Sequence, residues 1–195
     1  MEVGDVARRL SDSDGRTVLI DGRSGSGKTT LAIELHRVWG SSTVVRLDDI
    51  YPGWDGLAWA VDHIRTELLH PRSQGRPGRW RGWDWTTNAP AGWHVVEPGQ
   101  RLIVEGVGAL AGPNRALADL GIWVDTDDDE RKRRALQRDG DTYRPHWERW
   151  AAQEVEYIAT YQPRAQADWI VTETPESRVW TAGEVERVHR RRREE

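Results

Sequence analysis

The stretch "DGRSGSGKTTLA", Asp21 to Ala32, decides the reading of the whole chain. Gly22, Gly27, Lys28 and Thr29 fit the spacing G-x-x-x-x-G-K-[ST]. Upstream, "TVLIDG" (Thr17–Gly22) is a short β-rich apolar run ending in glycine, which reads as a buried parallel strand. Downstream, Leu31, Ile33, Leu35 and Val38 recur at helical spacing. A loop between strand and helix has a physical use. Its glycines let backbone N–H groups turn inward around phosphate oxygens, and the helix N-terminus adds its dipole. The expected nucleotide-binding residues are therefore Gly22, Arg23, Ser24, Gly25, Ser26, Gly27, Lys28, Thr29 and Thr30. Lys28 would neutralise the β- and γ-phosphates of ATP, and the Thr29 hydroxyl would ligate Mg²⁺.

Composition narrows the context. With 195 residues, one domain with a full core is expected. The net charge is −4, so no global basic field argues for nucleic acid. Lysine occurs only at Lys28 and Lys132, which places one of the chain's two lysines in the phosphate loop. Tryptophan (12 residues, with no Phe) is expected to carry much of the aromatic packing. The absence of cysteine excludes disulfides, thiolate metal sites and cysteine nucleophiles. No apolar run resembles a signal peptide or a membrane span, so a cytoplasmic protein is expected.

Four further apolar runs read as strands: Ser42–Asp49, Arg101–Leu110, Leu120–Asp127 and Asp168–Glu173. Helical patterns fall at Val3–Leu10, Leu57–Leu69, Asp129–Arg138, Trp147–Tyr161 and from about Thr181. This alternation predicts an α/β fold, a five-stranded parallel sheet with helices on both faces. Residues 71–93, rich in Gly, Pro, Arg and Trp, are long enough to be either functional or disordered. The terminal "ERVHRRRREE" reads as a solvated helix.

Asp48 and Asp49 end the second strand, and ligands of open α/β sheets bind outside the strands' carboxyl ends. A carboxylate there can accept the proton of an attacking hydroxyl or hold metal-bound water. Glu105 ends the run "LIVE" and suits a carboxylate that reaches Mg²⁺ through water. Arg131 and Arg134, three apart on one helix face, can close over phosphates, with Arg138 and Arg144 as further candidates. Asp55, in "YPGWD", could hold a ribose diol.

From Val18 to Val171 the chain resembles the uridine kinase branch of P-loop kinases, which includes phosphoribulokinase and bacterial pantothenate kinase relatives. "DDIY" (Asp48–Tyr51) is similar to the family's Asp-x-Phe-Tyr, whose first acid is the base facing the substrate hydroxyl; this favours Asp48 over Asp49. "WDWTTN" (Trp83–Asn88) resembles Tyr-Asp-Phe and a histidine three residues on, which implies substrate-side roles for Trp83, Asp84, Trp85 and Asn88 beside Tyr51 and Asp55. Glu105–Gly106 matches the family's strand ending Glu-Gly. "VDTDDDERKRR" (Val124–Arg134) is close to its "VDTD" strand and Arg-x-x-Arg lid helix.

The resemblance implies an ATP- and Mg²⁺-dependent kinase acting on a hydroxyl of a uridine- or cytidine-like nucleoside. Asp48 and Lys28 would be catalytic with Arg131 and Arg134, and the metal would be held by Thr29, Glu105 and Asp48. A substrate-binding insertion is expected at about 51–100 and a lid at about 129–147. Two alternatives stand beside it: a nucleoside monophosphate kinase such as cytidylate kinase, using arginines of residues 72–81, and a regulatory nucleotide-binding ATPase. No Asn/Thr-Lys-x-Asp guanine motif supports the latter. The expected partner is a small hydroxyl compound, not nucleic acid or membrane, with homo-oligomerisation left open.

Overall fold

The computed structural model describes residues 1–174 and 177–184. Helix α1 (Val3–Asp12) leads into β1 (Thr17–Asp21), α2 (Lys28–Trp39) and β2 (Ser42–Arg46). Then come α3 (Leu57–His63), α4 (His70–Ser73), β3 (Gly78–Asp84) and β4 (Ala89–Val96). The second half runs β5 (Arg101–Glu105), α5 (Gly112–Arg115), β6 (Leu120–Asp125), α6 (Asp128–Tyr143) and α7 (Trp147–Tyr161). It closes with α8 (Pro163–Gln166), β7 (Trp169–Glu173) and β8 (Arg178–Ala182). Short 3₁₀ turns at Leu47–Asp49 and Gly53–Asp55 follow β2.

Six strands form the main sheet in the order β2-β5-β1-β6-β7-β8. The first five are parallel, as the alternation of elements predicts. The sixth, β8, runs antiparallel to β7 and takes Thr181 and Ala182 from the helix expected from about Thr181, most of which lies outside the described residues. Val179 and Thr181 are β-branched and suit a pleated edge, and Arg178 returns beside Glu173 in the register. The basic tail lies outside the described residues.

Period-two alternation divides the core between the two faces of the sheet. Leu19, Leu102, Val104 and Trp123 face one side, with Tyr51, Leu57, Ile64, Trp150 and Tyr157. Val18, Ile20, Ile103, Ile122 and Val124 face the other, with Leu10, Leu31, Leu35 and Trp39. Parallel strands buried on both faces require such continuous apolar runs.

The Arg- and Trp-rich segment resolves into the end of a helix and a separate two-stranded antiparallel sheet, β3–β4. Trp80 stacks on His94 across the strands, with centroids 4.1 Å apart. Buried Arg72 fastens the hairpin base by donating to the carbonyls of Glu97 and Gln100. The Arg81 amide donates to His63 Nε2 at 3.0 Å, which ties the hairpin to α3. None of the described helices is long and apolar enough to cross a membrane.

Candidate active site

The turn out of β1 wraps inward because Gly25 (φ +81°) and Gly27 (φ +100°) take backbone conformations that other residues avoid. Packing adds a second demand, since a Cβ at Gly25 would overlap the Arg131 carbonyl. Lys28 is buried within the loop and its Nζ donates to the Arg23 carbonyl at 3.0 Å. Because α2 begins at Lys28, its first-turn N–H groups have no intrahelical acceptor and are available to an anion.

Thr29 Oγ1 donates to Glu105 Oε1 at 3.0 Å. Glu105 is 2% exposed, and burial pushes its carboxyl above the usual range against the pull of Lys28 and the Thr29 hydrogen bond. A hydroxyl and a carboxylate beside a phosphate loop are the oxygen donors that Mg²⁺ accepts, with phosphates and water completing its shell. Among the described residues there is no group of three or more His, Cys, Asp or Glu placed to hold a metal ion.

Two cavities meet beside the loop. One, of about 450 Å³, is lined by Gly25, Gly27, Lys28, Thr29 and Thr30, with Arg46, Arg134 and Arg138 across from them. The other, of about 520 Å³, is lined by the polar residues Ser24, Asp48, Asp139 and Thr142 and by the rings of Tyr51, Trp54, Trp85, Tyr143 and Trp150. Arg46 and Arg138 line both. Trp54 stacks on Tyr143 (5.2 Å, 13°) and His146 (4.5 Å, 15°), which joins the turn after β2 to the end of α6. Trp85 Nε1 donates to the Asp48 main-chain carbonyl at 2.8 Å, so the hairpin touches the turn that carries Asp48.

A buried carboxylate braces the loop from behind. Glu154 of α7, fully buried, accepts from the Ser24 amide at 2.8 Å and from Arg23 Nε at 3.0 Å. Arg131 Nη1 lies 3.6 Å from the same carboxylate and its Nε donates to Asp128 at 2.5 Å.

Asp21, at the end of β1, is fully buried and accepts from the amides of Gly22 (2.6 Å) and Leu110 (2.8 Å) and from the Tyr157 hydroxyl (2.6 Å). Burial raises its pKa to about 6, against those hydrogen bonds and Lys28. Tyr157→Phe removes a donor from the ionised form, so the Asp21 pKa rises further. The expected cost at pH 7 is about 1–3 kcal/mol of stability, measured by urea denaturation. An unchanged denaturation midpoint would contradict this assignment.

Comparison with known proteins places this geometry. No family model matches the chain. A uridine kinase from Ligilactobacillus salivarius is 31% identical over 150 residues, covering 67% of this chain and 70% of that protein. The chain belongs to the uridine kinase family. A uridine kinase from Clostridium perfringens is also 31% identical, over 138 residues, 62% of this chain and 66% of that protein. The alignment thus spans just under two thirds of that relative. A solved structure from Bacillus stearothermophilus, titled a possible uridine kinase, superposes with a TM-score of 0.58 at 22% identity, covering 87% of this chain and 99% of that one. At that identity it shows the P-loop kinase fold alone.

Within this uridine kinase fold, the expected residues divide sharply. Asp48, Tyr51 and Trp85 share one cavity, and Lys28, Thr29 and Arg134 share the other. Asp55 lines neither; its carboxylate pairs with Arg149 on the surface. Trp83, Asp84 and Asn88 also stay out of both cavities: Trp83 pairs with Pro90 within the hairpin ladder, and Asp84 and Asn88 shape its turn. Asp84 Oδ1 accepts from the Thr86 amide at 2.8 Å, and Asn88 takes the left-handed conformation at φ +50°. Arg131 lines neither cavity, being held 6% exposed between Asp128 and Glu154. Arg144 is exposed beside Asp141, and Asp49 is exposed as well.

Arg46, Arg138, Trp54, Tyr143 and Trp150 enter the site without having been expected there, Arg138 excepted as a candidate lid residue. A charged residue closing the apolar strand "STVVR", two before Asp48, was the available signal for Arg46.

Proposed function

We propose that the chain is an ATP-dependent kinase that phosphorylates a hydroxyl of a flat, nucleoside-like small molecule. One observation carries this reading: Asp48 and Ser24 of the phosphate loop line one and the same aromatic-walled cavity. The uridine kinase names of the relatives support the same reading.

Trp85, which is exposed, supplies a ring surface against which a planar acceptor can lie, and the stacked Trp54 and buried Trp150 line the same cavity. Asp48 then accepts the hydroxyl proton as the acceptor oxygen bonds to the γ-phosphorus and the bond to the β–γ bridging oxygen breaks, releasing ADP. Lys28 and the first-turn amides of α2 hold the phosphates, and Arg134 faces them from the lid helix. Thr29 and Glu105 would hold Mg²⁺, which supplies charge neutralisation when bound. The cytoplasm, where MgATP is abundant, is the expected compartment.

The monophosphate kinase alternative loses its arginines. Arg72 is spent on backbone carbonyls, Arg79 on Glu67 and Trp93, Arg76 on Gln74 and Arg81 on the Ala91 carbonyl, all outside the two cavities.

The test is ADP release from MgATP across nucleosides, nucleoside monophosphates, pantothenate and sugar alcohols. Nucleosides are expected to stimulate turnover at least about tenfold over the acceptor-free rate. Stimulation by monophosphates alone would transfer the assignment to that class. Nucleotide binding with no stimulation by any acceptor would overturn the kinase reading.

A further inference from the structure

We propose that Arg46 is a catalytic residue, its guanidinium bridging the transferring phosphoryl group and the Asp48 side of the acceptor cavity. The inference rests on the kinase reading and adds a residue to it.

Position argues first. Arg46 ends β2 and lies beside Glu105 in the parallel register, so the rigid sheet sets where its side chain begins. Its guanidinium is inserted between the two carboxylates of the site, with Nε 3.5 Å from Glu105 Oε1 and Nη2 4.0 Å from Asp48 Oδ2. A phosphoryl group entering between those carboxylates would meet like charge on both sides. A cation at this junction removes that repulsion where charge is transferred.

Availability argues second. Both contacts are long and single-point, and the side chain remains 43% exposed. Arg138 also lines both cavities, but its fork is closed on Asp139 by bonds of 2.8 and 2.7 Å. Arg131, which the lid motif singles out, is buried in its own ion pairs. Arg46 is therefore the arginine at the junction whose donors are least committed. Five N–H donors in one plane allow one edge to hold a phosphoryl oxygen while another still faces Asp48. It stays protonated throughout, so the hydroxyl proton still goes to Asp48.

The experiment compares wild type with Arg46→Ala and Arg46→Lys by three readouts. These are acceptor-dependent turnover, equilibrium binding of MgADP, and binding of MgADP with aluminium fluoride in the presence of the acceptor. For Arg46→Ala, kcat is expected to fall about 10²–10³-fold. MgADP affinity should hold within roughly threefold, while the fluoroaluminate complex weakens about 10²-fold, the signature of contact made in the transition state. Arg46→Lys should retain part of the activity, and added guanidinium ion should restore part of it to Arg46→Ala. A kcat within roughly threefold of wild type overturns the inference. So does a parallel loss of MgADP affinity and thermal stability, which would mark a scaffold role. If wild type turns over no acceptor at all, the kinase reading fails and takes this inference with it; if only the Arg46 effect is missing, the kinase reading survives.

Discussion

Asp48→Asn is expected to lower acceptor-dependent turnover by about 10²–10⁴-fold, the range for removing a positioned general base. Asparagine keeps the size of the side chain but cannot accept the hydroxyl proton. The backbone at this position is fixed independently of the side chain, because Trp85 Nε1 bonds to the main-chain carbonyl. The Asp48 side chain is 47% exposed, so no buried partner is orphaned by the change. MgADP affinity and thermal stability should match wild type. Steady-state kinetics with a stimulating acceptor, beside calorimetric MgADP binding, checks both halves. Retained turnover would remove Asp48 from the chemistry and send the proton directly to phosphate or solvent.

Gly25→Ala should be as damaging by a different route. At φ +81° an alanine is strained by about 1–2 kcal/mol, and its methyl group would also overlap the Arg131 carbonyl. That neighbour is helix backbone, which cannot rotate away as a side chain can. Either the loop or the start of α6 must move. A displacement on the order of 1 Å in such a site costs about 10²-fold in function. MgADP titration should therefore show affinity reduced by about that factor, with a lowered thermal midpoint. Wild-type affinity in this variant would mean that loop and helix are less tightly apposed than the packing shows.

The phosphate loop was legible because its chemistry is local: a few consecutive residues supply glycines, ammonium and hydroxyl between a strand and a helix. The position of Glu105 was legible for a related reason, since it closes an apolar run and parallel topology gathers such ends at one edge; β2 instead ends at Arg46, and the expected strand end at Asp48 and Asp49 is a 3₁₀ turn just beyond that edge. Glu154 was not. It lies 130 residues from Ser24, on a helix where a glutamate ordinarily faces water, and only packing makes it the brace of the loop. The hairpin was hidden because the alternation Arg79-Trp80-Arg81 is too short to count: Gly82 and a register shift before Trp83 break it, and β4 is exposed along most of its length. Its tip shows the same limit in detail: of Trp83, Asp84, Trp85 and Asn88, only Trp85 reaches the cavity, and a turn geometry set by Asp84 and Asn88 decides which.

The two sheets divide the labour of the molecule. Nucleotide chemistry hangs from the large parallel sheet, whereas β3 and β4 form a ribbon of their own, secured at Arg72, at His63 and by Trp85 on the Asp48 turn. Residues along the ribbon can therefore diverge without disturbing the machinery beneath, provided those fastenings persist. Under the proposed kinase reading, a lineage built on this scaffold could exchange one acceptor for another while inheriting the phosphate-handling half intact.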